Sequence, residues 1–211
     1  MIVGGIPQLM SSGSGGTARM VFLGLSGGAA LTATAVQEDP TRVIIMYVCA
    51  HDGVPNTIYS PVIAGLAPTY GLNTGAGFRG FTAVYSLASP TGTTVSVHFA
   101  PGGGTDYTTC AAWALYGATS ATPDLVLKTG GYTTHSIPGE YSAAATLSFT
   151  ERWVGGSVTW QPPMVADFHH NPQGFLSAAR PAPGTTAPFV SNPALIPDPY
   201  GETSFTTIAW K

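Results

Sequence analysis

The sequence predicts an all-β protein, an antiparallel β-sandwich of jelly-roll or Greek-key type. Three observations carry that prediction. Short apolar runs rich in Val, Ile and Thr recur at intervals close to the rhythm of all-β domains. The 211 residues include 27 Gly and 18 Pro, which break helices and build turns. Charged residues, among them the helix formers Lys and Glu, make up 8% of the chain, against roughly 25% in an ordinary soluble domain.

The elements follow in order. Residues 1–17 are dominated by Gly and Ser (Ser11-Ser12-Gly13-Ser14-Gly15-Gly16) and read as an N-terminal arm. Residues 18–211 read as one domain. Met20 to Leu25 is a short apolar strand, and Leu31 to Val36 alternates with period two until Glu38-Asp39-Pro40 turns it. Arg42 to Ala50 is apolar on both faces, which predicts a central strand. Phe78 to Leu87 and Thr93 to Phe99 flank Ala88-Ser89-Pro90-Thr91-Gly92 as a hairpin would. Pro101 to Asp106 is a Gly-rich loop, and Cys110 to Tyr116 is a second core strand. Ala121 to Asp124 is a turn. Ala144 to Phe149, Gly156 to Trp160 and Ser204 to Trp210 complete about ten strands. Each alone leaves an apolar face wet, and two packed sheets bury those faces.

Residues 161–202 contain half of the prolines. Proline cannot donate to a ladder, so this stretch reads as an extended strap and not as sheet. Phe168, Phe175, Phe189 and Tyr200 punctuate it and need a surface to pack on. The strap leads back into a final strand at 203–211.

Composition also excludes functions. Seven Lys and Arg against ten Asp and Glu give a net charge of −3, too few cations to neutralise phosphates. Nucleic-acid binding is not expected, nor is adhesion to an anionic membrane. No apolar run approaches the length of a membrane span. Met1-Ile2-Val3-Gly4-Gly5 has no basic n-region, so synthesis in a cytoplasm without a signal peptide is expected. Cys49 and Cys110 each lie in an apolar run. Two buried thiols are the simpler reading, and a disulfide between neighbouring strands is the alternative.

Motifs with catalytic precedent fail on context. Gly24-Leu25-Ser26-Gly27-Gly28 fits the nucleophile elbow, but the chemistry needs a helix next and Ala29 to Val36 alternates like a strand. Gly75 to Gly80 fits a dinucleotide fingerprint, yet a strand follows it, so the glycines read as a bulged loop. Asp167-Phe168-His169-His170 is the densest group of metal-ligand types, but adjacent histidines point oppositely in an extended chain. No pair of acids forms a glycosidase motif. No enzyme activity, metal or cofactor is predicted.

Aromatic residues in loops are the more useful signal. Tyr59, Tyr70, Tyr107 and Tyr132, with Phe168, Phe175, Phe189 and Tyr200, are the candidate contacts to another subunit or to a sugar ring.

Cys110-Ala111-Ala112-Trp113-Ala114-Leu115-Tyr116-Gly117, then Thr122-Pro123, Thr150-Glu151-Arg152-Trp153 and Phe175-Leu176-Ser177-Ala178-Ala179, resemble in order the small virion proteins of tailed phages and phage-like particles. The resemblance covers roughly residues 90–180. It implies a β-sandwich structural subunit of a virion: a capsid decoration, a head spike or a tail-associated subunit. The implied partners are other copies of the chain and other virion proteins, and assembly in the host cytoplasm follows. The alternative is a carbohydrate-binding module that recognises a host-surface glycan through its loop aromatics.

Overall fold

The structure, a computed structural model, describes residues 18–51, 58–77, 80–101, 107–130, 133–152, 158–170, 175–195 and 203–211. The N-terminal arm, Tyr132, Trp153 and Tyr200 lie outside the described residues. The all-β, antiparallel class is observed. The strands are β1 (Arg19–Ser26), β2 (Ala30–Ala33), β3 (Val43–His51), β4 (Ile58–Ile63), β5 (Tyr70–Gly77), β6 (Gly80–Ala88), β7 (Val95–Pro101), β8 (Tyr107–Tyr116), β9 (Leu125–Gly130) and β10 (His135–Ile137). A 3-10 turn at Ala143–Ala145 precedes β11 (Thr146–Arg152), β12 (Val158–Trp160), β13 (Met164–His170), β14 (Phe175–Pro181), β15 (Phe189–Ser191), β16 (Pro193–Leu195) and β17 (Thr203–Ala209).

They form two five-stranded sheets, β1-β8-β3-β6-β5 and β13-β14-β11-β17-β9. A three-stranded sheet, β2-β7-β4, and two ribbons, β10-β15 and β12-β16, complete the fold. Strand alternation sorts the side chains into three interiors. Val43, Ile45, Tyr47, Trp113 and Leu115 of the first sheet meet Leu147, Phe149, Phe168, Leu176 and Ile208 of the second. The opposite face of the first sheet, with Ile44, Met46, Val48 and Ala112, meets Ile63, Val95, Val97 and Phe99 of the three-stranded sheet. The opposite face of the second sheet, with Ala179 and Phe205, meets Ile137, Val158, Trp160 and Phe189 of the ribbons. The molecule is therefore four β layers deep. β3 is central, as its two apolar faces predict, because it is covered on both.

Two expectations are corrected. The described part of the 161–202 stretch, residues 161–170 and 175–195, is not a strap lying outside the sheets. β13 and β14 are the outer two strands of the second sheet, and β15 and β16 each close a ribbon. Among the described prolines, Pro162 and Pro163 precede β13, Pro181 ends β14, Pro188 precedes β15 and Pro193 opens β16, positions that suit a residue without an amide donor. The second correction concerns 78–99. β6 and β7 are not a hairpin, because β6 pairs with β3 and β5 in the first sheet while β7 pairs with β2 and β4. Residues 89–94 carry the chain from one layer to the next.

Arg42 holds that crossing. It is fully buried. Its Nε donates to the Ser89 carbonyl, one terminal nitrogen to Gln37 O (2.8 Å) and Gly92 O (2.9 Å), and the other to Thr91 O. Glu38 accepts from the Gly92 amide in the same clasp. Asp39 caps Thr41, whose hydroxyl and amide hold that carboxyl below its usual value.

The Gly24-to-Gly28 motif is a strand end and turn. Gly24 has φ +145° at a bulge in β1, and β2, not a helix, follows. In the other glycine motif the register slips between Asn73 and Gly75, again a bulge. Cys49 and Cys110 are both free and buried. They face opposite sides of the first sheet, Cys49 toward the second sheet and Cys110 toward the three-stranded one, so no disulfide can join them. Burial raises both thiols, Cys110 to about 12.

Candidate functional site

Register fixes two poles. At one pole β3 ends at His51 opposite Gly80 and Tyr107, and Ile58 lies opposite Pro101. In the second sheet Arg152 lies opposite both Phe175 and Thr203. Thr82 Oγ1 donates to Glu151 (2.6 Å), which brings these two sets of strand ends together. Three of the candidate aromatics, Tyr59, Tyr107 and Phe175, take backbone positions at this pole. Tyr107 is half-buried there. Tyr70 starts β5 toward the other pole and is a half-buried strand residue, not a loop residue; burial raises its phenol.

Phe168 and Phe189 are corrected as contact residues. Each is 8% exposed: Phe168 sits beside Phe22 and Trp113 in the central interior, and Phe189 fills the ribbon layer. The strand pattern that buries them is invisible when 161–202 is read as a strap.

The opposite pole carries the Arg42 clasp, the 3-10 turn and both ends of the described chain. Trp210 N–H donates to Ala145 O, and Arg19 lies opposite Tyr116. Here an open groove of about 260 Å³ runs between the start of β1 and the outer strands of the second sheet. Ala143, Val165 and Pro183 line it with Arg19, Asp167 and Arg180. The Asp167 carboxylate is 6% exposed and takes Arg180 in a fork, with Nε at 2.8 and 2.7 Å from its two oxygens. Trp113 Nε1 donates to the same carboxylate (2.7 Å), and a terminal nitrogen of Arg180 donates to Met20 O. Asp167 thus ties β13 and β14 to β8 and β1. Its position at the bulge between Ala166 and Phe168 turns it inward. Asp167→Ala leaves the indole and the guanidinium without their acceptor. A loss of about 2–3 kcal/mol is expected, read as a lower midpoint in urea unfolding. An unchanged midpoint would show that the fork holds nothing. Arg19 stacks on the Tyr116 ring at 4.2 Å and donates to Gln37.

Polar chemistry inside the molecule gathers under the ribbons. His135 is buried and stacks on Phe205 at 4.0 Å. Its Nδ1 lies 2.9 Å from Thr207 Oγ1 and its Nε2 3.0 Å from Thr129 Oγ1. Ser148 Oγ continues the chain to Thr207 (2.9 Å) and Ser191 (2.8 Å). Burial lowers the imidazole pKa to about 4. Nearby, Ser177 Oγ accepts from Trp160 Nε1 (2.7 Å) and lies 3.0 Å from His169 Nδ1. Ser148, Ser177 and Ser191 have no exposed surface, so these hydroxyls bond layers together and meet no substrate in this conformation. Among the described residues no group of three His, Cys, Asp or Glu could hold a metal ion.

The two outward faces of the stack share one property. On the three-stranded sheet, Ala30, Thr32, Ser96, His98 and Ala100 alternate with the buried residues and face out. On the ribbons, Ser136, Thr159, Val190 and Ala194 do the same, with Val190 43% exposed. These outward positions carry no Asp, Glu, Lys or Arg. The sequence shows the low charge, but not that Arg42 is used internally and Arg19 and Arg180 at the groove.

Compared with known protein families, curated proteins and solved structures, the chain matches none. No helix of the described residues is long and apolar enough to cross a membrane.

Proposed function

We propose that this chain is a structural subunit of a tailed-phage or phage-like virion, a capsid decoration, head spike or tail-associated protein held by protein contacts. The observation that carries the reading is the pair of charge-free outward faces on opposite sides of the stack. A freely soluble domain normally disperses charge over such faces, which prevents association. Here Ser, Thr, Ala and Val are offered on both sides, as a subunit with a neighbour on each side requires. The stacked antiparallel sheets, with sequence-distant strands such as β1 and β8 adjacent, agree with the all-β class expected of such subunits, built here in four layers and not two. The test is native mass by light scattering after size exclusion, over a hundredfold range of concentration. A closed oligomer is expected. A monomer throughout that range overturns self-assembly.

The second reading, a module for host-surface glycans, is favoured by one observation: Tyr59, Tyr107 and Phe175 share a pole, away from the groove. A glycan screen of the native chain and of Tyr107→Ala tests it. Binding lost in the variant supports the reading, and absence of binding by the native chain removes it.

A further inference from the structure

The groove at the pole of the chain ends has an open strand beside it. β13 pairs only with β14 among the described residues. The Ala182 amide donates to Pro163 O (2.8 Å), and the same register makes Val165 and Arg180 a hydrogen-bonded pair. Met164 and Ala166 therefore turn their backbone groups to the outside. The Met164 amide is taken by Gln161 O, which leaves the Met164 carbonyl and both groups of Ala166 along a free edge. Val165, 55% exposed, stands in the groove beside that edge, and the charged groups that line the groove are already engaged, Arg180 with Asp167 and Arg19 with Gln37 and the Tyr116 ring.

The chain itself supplies an occupant of matching chemistry. Residues 1–17 precede Ala18, and Arg19 is a wall of the groove. Those 17 residues hold no charged side chain before Arg19, and they combine small Gly and Ser with Ile2, Val3, Ile6, Leu9 and Met10. Small residues allow close backbone approach, and the apolar ones suit walls built from Ala143, Val165 and Pro183. Fully extended, 17 residues span about 55 Å, whereas the ten residues of β8 cover about 33 Å. The segment is long enough to reach past its own subunit.

We propose that residues 1–17 of one copy dock in this groove of a neighbouring copy and add as a strand along β13. The inference rests on the assembly reading and names its joint. Each copy gives one segment and accepts another, a heterologous contact that closes into a ring when the rotation permits.

The test compares native masses of the full chain, a chain beginning at Ala18, and Val165→Lys, which puts a charge on an exposed groove position without touching an interior. Thermal unfolding of each checks folding. The full chain is expected as an oligomer and both variants as folded monomers. A synthetic peptide of residues 1–17 is expected to bind the shortened chain and not its Val165→Lys form. A shortened chain that keeps the oligomer mass overturns this inference and leaves the assembly reading standing. A full chain that is monomeric at every concentration overturns both. Monomers whose groove is filled by their own segment would show the peptide binding without any oligomer, and that also overturns exchange between copies.

Discussion

Replacing Arg42 is expected to be among the most damaging single changes to the described fold. Arg42→Ala removes the side-chain donors from the carbonyls of Ser89, Thr91 and Gly92 and leaves that of Gln37 only the Tyr116 hydroxyl (3.2 Å), in a place with no measurable exposure of the arginine. A buried acceptor left without a donor costs about 1–3 kcal/mol, so a total of at least about 3–5 kcal/mol is expected even after partial relaxation and water entry. That is a large share of the stability of an ordinary domain. Arg42→Lys is not a rescue. An ammonium has three donors around one point, while the four carbonyls are matched to the flat spread of a guanidinium. Equilibrium urea unfolding checks both variants, with the expected order native, lysine, alanine. A lysine variant as stable as the native chain would show that the charge alone, and not the fork, holds the crossing between the layers.

The second large effect is a loss of stability in mild acid. His135 is held neutral: its folded pKa is about 4, against 6.5 when free, because burial disfavours the imidazolium. The groups facing it are Phe205, Thr207, Thr129 and, one step on, Ser148 and Ser191. None of these carries a charge that could welcome the proton. In the unfolded chain the same ring protonates near 6.5, so between about pH 6.5 and pH 4 the unfolded state binds more protons. Stability is then fully present above pH 6.5 and falls through that window, by about 3 kcal/mol in total. Unfolding midpoints from pH 7.5 to pH 4 check this, with His135→Gln as the comparison. The variant is expected to be less stable at pH 7.5 but to lose less on acidification. His169 and His170 are also lowered by burial, but they are less enclosed and add a smaller slope. Asp39 loses its stabilising contribution only at lower pH, as its carboxyl protonates. A slope that survives unchanged in the glutamine variant would move the effect away from His135.

What the sequence reveals and what it hides divide along physical lines. β3 and β8 are legible because residues apolar on both faces can only be inner strands. The same double apolarity implies a covering layer on each side, so the four-layer stack is present in the pattern, though a two-sheet reading does not extract it. Periodicity says that 80–88 and 95–101 are strands, but not that they belong to different sheets; the residue that separates them, Arg42, looks like an ordinary charged strand start. The 161–202 stretch misleads because prolines counted by segment predict a strap, whereas the described prolines taken by position fall at strand ends or in turns. The groove is not legible at all. Trp113, Asp167 and Arg180 meet across sequence separations of 54 and 13 residues, and a bulge at Asp167, which no motif announces, turns its carboxylate inward. The aromatics were the best available signal, yet aromatic character does not distinguish Phe168, which is core, from Tyr107, which reaches a strand end.

The position of β17 has a consequence for biosynthesis. The last described strand is not an edge: it lies between β11 and β9 and pairs with both. Until residue 209 has left the ribosome, β9 and β11 have no common neighbour, and Phe149 and Leu147 have lost the companionship of Ile208. The first sheet is complete once β8 is made, whereas the second closes only once β17 has emerged, about 90 residues later. A chain halted before β17 would therefore leave β9 without its ladder partner, β11 with an open edge beside β14, and an uncovered apolar layer, a substrate for chaperones and proteases and not a slightly shorter subunit.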